Sequence, residues 1–465
     1  MTVTGRRRLS EKTLARARAA VLPDYGRSEV PVIAHLGFGA FARAHLAVYA
    51  DDLLRRGRPA LVRGVSIRSR RAQDQLEPQD GLFTVAVREP GAEVSLQVVG
   101  ALASMDTGPA AALEAMAAPA TSLVTLTITE KGYEMEDEER VPSEASTSAP
   151  ALIALALARR RRAGLGAPVF ASLDNLLDNG NVLRSRVVAV AGRIDPSLAE
   201  WIDGDVRFPN SVVDRMVPAP NEQDAEDISS QLGLLDRAAV SAERHRSWVM
   251  RYVDGVSPLA EVGVELVDDV APFERRKLWL LNGPHSAVAY GGLLAGFDTI
   301  AHAVADPTIA RFVRQLVDDT LEVAAFPATL NPVAFASEAL RRFANPTLGH
   351  ACAQVGADGS SKLPQRLLPV VAARRERALA TRGFALVVAI WLAATAGVEV
   401  RGVRLPCLED PRAGELRDAA SRGSDLRQLS DVALAGHTDD AFIAEVASAL
   451  EGLTREGRAA LAAAR

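Results

Sequence analysis

One run of the chain gathers most of the residues able to move a proton. It reads Glu274-Arg275-Arg276-Lys277-Leu278-Trp279-Leu280-Leu281-Asn282-Gly283-Pro284-His285-Ser286. On a helix at about 100° per residue, Lys277, Asn282 and His285 fall within roughly a 140° arc. All three can then face one cavity while Leu278 and Leu281 pack elsewhere. The mixture suits oxidation of a secondary alcohol. A desolvated lysine can take the hydroxyl proton as hydride leaves the carbon. The Asn amide and an imidazole N–H can donate to the developing alkoxide. No zinc is required, and neither cysteines nor histidines fall at zinc-site spacing. The same spacing also arises by chance, as a helix with one lysine and a satisfied core histidine, so other segments must decide.

Lysine usage singles out Lys277. Of 53 basic residues only Lys12, Lys131, Lys277 and Lys362 are lysines. Arginine stays protonated at any working pH, whereas a buried lysine can lose its proton, so a lysine kept in such a chain is a candidate for work arginine cannot do. Lys12 is taken as a chance survivor.

These groups need elements to hold them. Val30 to Leu36 is a short apolar run that ends at Gly37-Phe38-Gly39 and passes into a helical pattern from Ala40 to Leu54. Strand, glycine turn and helix together can bring backbone N–H groups, at Gly37, Gly39 and Phe41, against a pyrophosphate. The third glycine of the usual fingerprint is missing, and a purely structural turn competes with this reading. The second strand, Leu61 to Ile67, ends without the acid that would hold a ribose 2′-hydroxyl. Arg68 and Arg70 follow instead and can face a 2′-phosphate, so NADP stands beside NAD as the cofactor.

Further β-rich runs lie at Val94 to Val99, Leu123 to Ile128 and Pro168 to Leu173. Helical patterns occupy Ala112 to Met116 and Ile153 to Arg162. Alternation of this kind argues for a mainly parallel sheet wound on both faces. Glu134 to Pro150 reads as a solvated loop. Beyond about Phe273 long helical periods dominate, at Glu274 to Leu294, Ile309 to Ala324 and Phe384 to Ala394. We expect an α/β N-terminal domain over residues 1–272 and a mostly α-helical domain over 273–465, with a ligand in the cleft between them.

Composition excludes several classes. With 48% hydrophobic residues, 24% charged and a net charge of −5, the chain can bury two cores and is not built to wrap nucleic acid. The longest apolar run, Phe384 to Gly397, is too short for a membrane span. Arg6 to Arg8 are not followed by a signal-type apolar stretch, and a surface helix is expected there. Cys352 and Cys407 form no redox motif, which fits a cytoplasmic setting.

Several ordered blocks then resemble the mannitol dehydrogenase family, the polyol-specific long-chain dehydrogenases and reductases, from Asp24 to about Asp410. They are His35 to His45 (HLGFGAFARAH), Pro78 to Val85 (PQDGLFTV), Thr125 to Tyr133 (TLTITEKGY) and Ser172 to Gly180 (SLDNLLDNG). Phe208 to Pro218 (FPNSVVDRMVP), Lys277 to Ser286 (KLWLLNGPHS) and Asp358 to Pro369 (DGSSKLPQRLLP) continue the series. The resemblance implies a Rossmann-like NAD(P) domain followed by a helical substrate domain. It implies Lys277 as general base, Asn282 and His285 as oxyanion donors, and Glu274 guarding a proton or water path. It further implies Asn175, Asp214 and Lys362 on the substrate, and Thr129, Glu130 and Lys131 along the nicotinamide side. Bland readings compete: Asn175 as a turn residue, Asp214 as an ion pair with Arg215, Glu130 and Lys131 as a surface pair.

The chain departs from the family pattern at Ala42, Leu173, Trp279 and Pro284. A proline inside the catalytic helix costs about 3 kcal/mol and would kink it, shifting His285 relative to Lys277. Gln354, eight residues before Lys362, resembles the fructuronate reductase (mannonate dehydrogenase) branch, where mannitol 2-dehydrogenases carry arginine. The expected partner is a small polyol or sugar acid, with no metal, nucleic acid or membrane, and a monomer or weak homo-oligomer. Mannonate and fructuronate are placed ahead of mannitol and other hexitols or pentitols. A catalytically silent nucleotide sensor on the same scaffold is the competing reading.

Overall fold

The computed structural model describes residues 5–128, 132–133, 141–423 and 425–463. Its contacts divide the chain into two compact units, Met1–Ala271 and Pro272–Arg465.

In the first unit five strands form one sheet: β1 (Ile33–Leu36), β2 (Val62–Ser66), β3 (Leu102–Thr107), β4 (Leu123–Leu126) and β5 (Val169–Ser172). Their spatial order is β3-β2-β1-β4-β5, and every neighbouring pair is parallel. Leu36 pairs with both Val65 and Leu126, so the central strands end level. The strand order reverses beside β1, and ligands of such sheets bind beyond the carboxyl ends at that point. Successive side chains leave a strand on opposite faces. Ile33, Val62, Leu123 and Ala171 therefore enter one core with Leu53 and Trp248. Ala34, Leu36, Val65, Val124 and Phe170 enter a second with Leu113, Leu152 and Leu183. A sheet buried on both faces explains why all four residues of β1 are buried and its sequence does not alternate.

Helices α1 (Ala40–Ala44) and α2 (Leu46–Arg55) replace the single helix expected over Ala40 to Leu54. The break is His45, at φ −117° and ψ −83°. Its ring is wedged among Phe41 and Tyr49, four residues away on either side, and Trp248, a distant partner no local pattern announces. The Val94 to Val99 run also differs from expectation. Ser95–Val99 pairs antiparallel with Phe83–Val87 in a separate four-stranded sheet. Strand Ala20–Val21 joins that sheet, and with one 3₁₀ turn at Leu14–Arg16 it stands where a surface helix was expected. Of the expected loop, residues 134–140 lie outside the described residues. A helix already begins at Ala149, where the Ser148 hydroxyl accepts from Ala151 N–H at 3.3 Å. After β5 comes α3 (Asn179–Ile194), and a third sheet contains Ser211–Asp214 and Ser247–Arg251.

The second unit is helical. Its first run is α4 (Ala271–Lys277), a π-helical turn over Leu278–Asn282, then α5 (Gly283–Ala295). Later come α6 (Gly359–Arg366) and α7 (Arg382–Ala396). Every residue of α7 from Phe384 to Ala396 is buried, as its unbroken apolar sequence requires.

Candidate functional site

The glycine turn after β1 is held by a buried network. The Thr127 hydroxyl donates its single proton to the Gly37 carbonyl at 2.7 Å. His35 Nε2, 2.9 Å from that hydroxyl oxygen, must therefore carry the ring proton. Nδ1, 2.8 Å from Thr125 Oγ1, then accepts. Complete burial pulls the His35 pKa down to about 3, so the ring stays neutral. Gly37 sits at φ +90°, and a Cβ there would lie 2.1 Å from Thr127 O. Gly39 has no such neighbour and caps α1 with no side chain over its N–H groups. The turn thus presses on β4 with one glycine and opens with the other.

A cavity of about 890 Å³ opens there, lined among others by Gly37, Phe38, Gly39, Ser66, Ser69 and Arg71. The size and position fit a dinucleotide at the sheet's switch point. Arg68 and Arg70 are exposed and do not line it; Arg71, one step further along, does. Phe41 is not on the wall either but stacks on His45 at 5.0 Å. Thr129, Glu130 and Lys131 lie outside the described residues. The far wall includes Asp236, which accepts from Gln79 Nε2 at 2.8 Å and Thr84 N–H at 2.6 Å. The PQDGLFTV block therefore holds a wall residue, Asp236, in place without lining the cavity itself, a role its sequence did not disclose.

The blocks around Asn175 and Asp214 are tied to each other. Asn179 donates to Ser211 O at 2.9 Å and accepts from Ser211 N–H at 3.0 Å. Asn210 Oδ1 accepts from Gly180 N–H at 2.8 Å, capping α3. A Cβ on Gly180 would lie 2.5 Å from Phe208 O, so only glycine permits this approach. Asn175 is exposed just past the carboxyl end of β5. Asp214 is buried at 8% exposure, at the end of its strand. Arg215 does not neutralise it: that guanidinium is directed to the carbonyls of Ala44 and Glu243. His245 Nε2 lies 3.4 Å from the Asp214 carboxylate.

In the second unit Glu274, Lys277, Asn282 and His285 are all buried, at 7%, 8%, 7% and 8% exposure. The helical run is not uniform. Gly283 N–H bonds to Leu278 O, five residues back, which widens the turn between Lys277 and Asn282. An α-helix would rotate residues five apart by roughly 140°, whereas i to i+5 bonding turns less per residue and brings them nearer one face. Pro284 follows directly on the π turn, inside a run whose backbone stays helical through Asn282 (φ −69°, ψ −36°) and Gly283 (φ −61°, ψ −58°). The irregularity beside the proline is this π turn. Trp279 is half-buried edge-on against Phe326 at 6.0 Å. Asn282 Nδ2 is buried with no hydrogen-bond partner among the described residues. The His285 ring stacks on Phe343 at 4.5 Å and 14°.

Lys362 sits on α6, with Nζ donating to Ala357 O at 2.6 Å and 3.6 Å from Asp358. A Cβ on Gly359 would lie 2.2 Å from Trp391 Nε1 and 2.8 Å from the Tyr290 hydroxyl, so α6 presses directly on α5 and α7. Arg366 reaches Ser286 Oγ at 3.0 Å, and Gly283 lies under the Arg366 carbonyl. The DGSSKLPQRLLP block thereby anchors Lys362 to the Lys277–Ser286 run. Gln354 is exposed on the short helix Cys352–Gly356. Sequence reasoning passed over His350, whose ring lies 5.2 Å from that of His285. The only signal for it was scarcity, seven histidines in the chain. Among the described residues no cluster of three or more His, Cys, Asp or Glu side chains forms a metal site.

Comparison with known proteins follows the same division. Residues 31–257 match the mannitol dehydrogenase Rossmann domain and residues 269–454 the mannitol dehydrogenase C-terminal domain. The D-mannonate oxidoreductase of Escherichia coli K12 is 36% identical over 93% of this chain and 95% of that protein. The mannitol 2-dehydrogenase of Pyrenophora tritici-repentis is 33% identical over 98% of this chain and 85% of that protein. The solved Pseudomonas fluorescens mannitol 2-dehydrogenase, a ternary complex with NAD and D-mannitol, superposes with a TM-score of 0.90 at 30% identity. That match covers 98% of this chain and 99% of the other. The chain belongs to the mannitol dehydrogenase family.

Proposed function

We propose that the chain is an NAD(P)-dependent dehydrogenase that interconverts a secondary alcohol and a ketone on a sugar acid or sugar alcohol. Residues 1–272 would bind the dinucleotide, and residues 273–465 would carry the catalytic group. The observation that carries the reading is the buried run in which a π turn joins Lys277 to Asn282, one helical turn before His285.

The cavity over Gly37 and Gly39 fits the dinucleotide, with bare backbone where a pyrophosphate needs close approach. When bound, the nicotinamide takes up or returns the hydride. The remaining work belongs to the chain's own side chains. Lys277, buried, takes the hydroxyl proton of the substrate. Asn282 Nδ2 and the His285 imidazole donate to the oxygen as it becomes anionic, which is worth most where water is excluded. Glu274, one helical turn before Lys277, stands in position to hand the proton on. Asn175, Asp214 and Lys362 would hold the hydroxyl chain. Thr129, Glu130 and Lys131 would lie on the nicotinamide side.

Substrates of the mannonate and fructuronate type come first, ahead of mannitol and fructose. Gln354 and the 36% identity to the D-mannonate oxidoreductase support that order. No described helix is long and apolar enough to cross a membrane, and both cysteines are free. We take the setting as cytoplasmic and the enzyme as a monomer or weak homo-oligomer. Lys277→Ala tests the base assignment: turnover of D-mannonate or D-mannitol should be abolished while the circular dichroism spectrum and NADH affinity persist. Full turnover in that variant would refute it.

A further inference from the structure

His350 is unused by the chemistry above, yet it occupies the catalytic run's immediate surroundings. Its ring meets His285 edge-to-face, at 5.2 Å and 70°. The His285 ring also stacks on Phe343, at 4.5 Å, and so has a ring contact besides His350. The backbone of His350 is fixed as well. Its carbonyl accepts from Ile300 N–H at 2.9 Å, and the adjoining Ala351 bridges Thr299. The imidazole Nδ1, by contrast, is buried with no hydrogen-bond partner among the described residues. A buried nitrogen without a partner is destabilising, and folded chains keep few of them. A residue present only to pack against His285 would do so at less cost as phenylalanine. Lys362 lies close enough for its ammonium to oppose protonation of this ring, and with burial it keeps the imidazole neutral, with a pKa down to about 4. A neutral imidazole can accept from or donate to a hydroxyl, which is the chemistry a polyhydroxy chain presents.

We propose that His350 is a substrate-binding residue, its Nδ1 hydrogen-bonded to a hydroxyl on a carbon next to the reacting one. Adjacent imidazoles then serve adjacent oxygens of the sugar chain: His285 the reacting oxygen, His350 its neighbour, with Lys362 beyond. This rests on the polyol or sugar-acid reading above.

The test compares wild type with His350→Phe and His350→Asn on D-mannonate and D-mannitol, each with NAD and NADP. Phenylalanine keeps the edge contact with His285 and removes the nitrogens. The KM for sugar should rise about tenfold or more, with kcat within roughly threefold and NADH affinity unchanged. Asparagine, which returns an amide near the Nδ1 position, should recover part of that loss. An unchanged KM in an active His350→Phe enzyme overturns the proposal. So does a fall in kcat at constant KM, which would make His350 a positioning residue for His285. Should His350→Phe not fold, the ¹⁵N signals of the His350 ring in wild type decide. They should shift when the sugar joins the enzyme–NADH complex, and an unmoved signal is the overturning result. A wild type inert on both sugars with both cofactors fails at the level of the functional reading, and the proposal falls with it.

Discussion

Lowering the pH from about 7.5 to about 5 should cost the first unit stability through one side chain, His35. Its folded pKa is about 3, against 6.5 for an ordinary histidine, because the ring is completely buried. The sign follows from proton counts. Between those values the unfolded chain binds a proton that the folded chain refuses, so stability falls as pH falls. The contribution is fully present above about 6.5 and disappears progressively toward 3. A tenfold change in proton affinity is worth about 1.4 kcal/mol, giving roughly 5 kcal/mol across the whole window and about 2 kcal/mol by pH 5. His350 adds a loss of the same sign in the second unit, since its pKa lies near 4. Comparison with a His35→Gln variant cancels that and every other shared titration. The glutamine keeps a polar partner within reach of Thr127 but does not titrate. The assay is urea unfolding of both proteins at the two pH values, followed by tryptophan fluorescence. The variant should be less stable at pH 7.5, and its loss on acidification should be smaller than that of wild type by about 2 kcal/mol. Equal losses in the two proteins would refute the argument, because His35 would then not be held neutral by the fold.

Three further outcomes are expected. Gly37→Ala should lower stability by about 1–3 kcal/mol and weaken NADH binding, since φ is +90° and the new methyl would meet Thr127 O at 2.1 Å; a thermal melt and a fluorescence titration read both. Asn282→Ala should reduce kcat by about 10²–10³-fold with cofactor affinity intact, the usual loss for one oxyanion donor, and stopped-flow turnover measures it. NADPH should be used at least as well as NADH, because β2 ends at Ser66 with Ser69 and Arg71 on the cavity wall; a strong NADH preference in steady-state kinetics rules that out.

What could be read in the chain alone was whatever is encoded by spacing within a few residues. Lys277, Asn282 and His285 fall within three helical turns, the Gly37–Gly39 turn joins a strand to a helix, and an apolar stretch such as Phe384 to Ala394 must be a buried helix. Local geometry dictates such features, so the fold class and the reaction chemistry were legible. Other features depended on partners far away in sequence. The π turn between Lys277 and Asn282 forms where Gly283 packs beneath the carbonyl of Arg366. Arg215 was a plausible partner for Asp214 by adjacency, but carbonyls at Ala44 and Glu243 claim its guanidinium. Arg71 lines the cavity where Arg68 was expected, because the chain turns after β2. His350 carried no motif, and only the fold sets its ring against His285. Residue types and short spacings named the chemistry. The long-range packing of α6 on α5 and of one loop on another decided which side chains are placed to perform it.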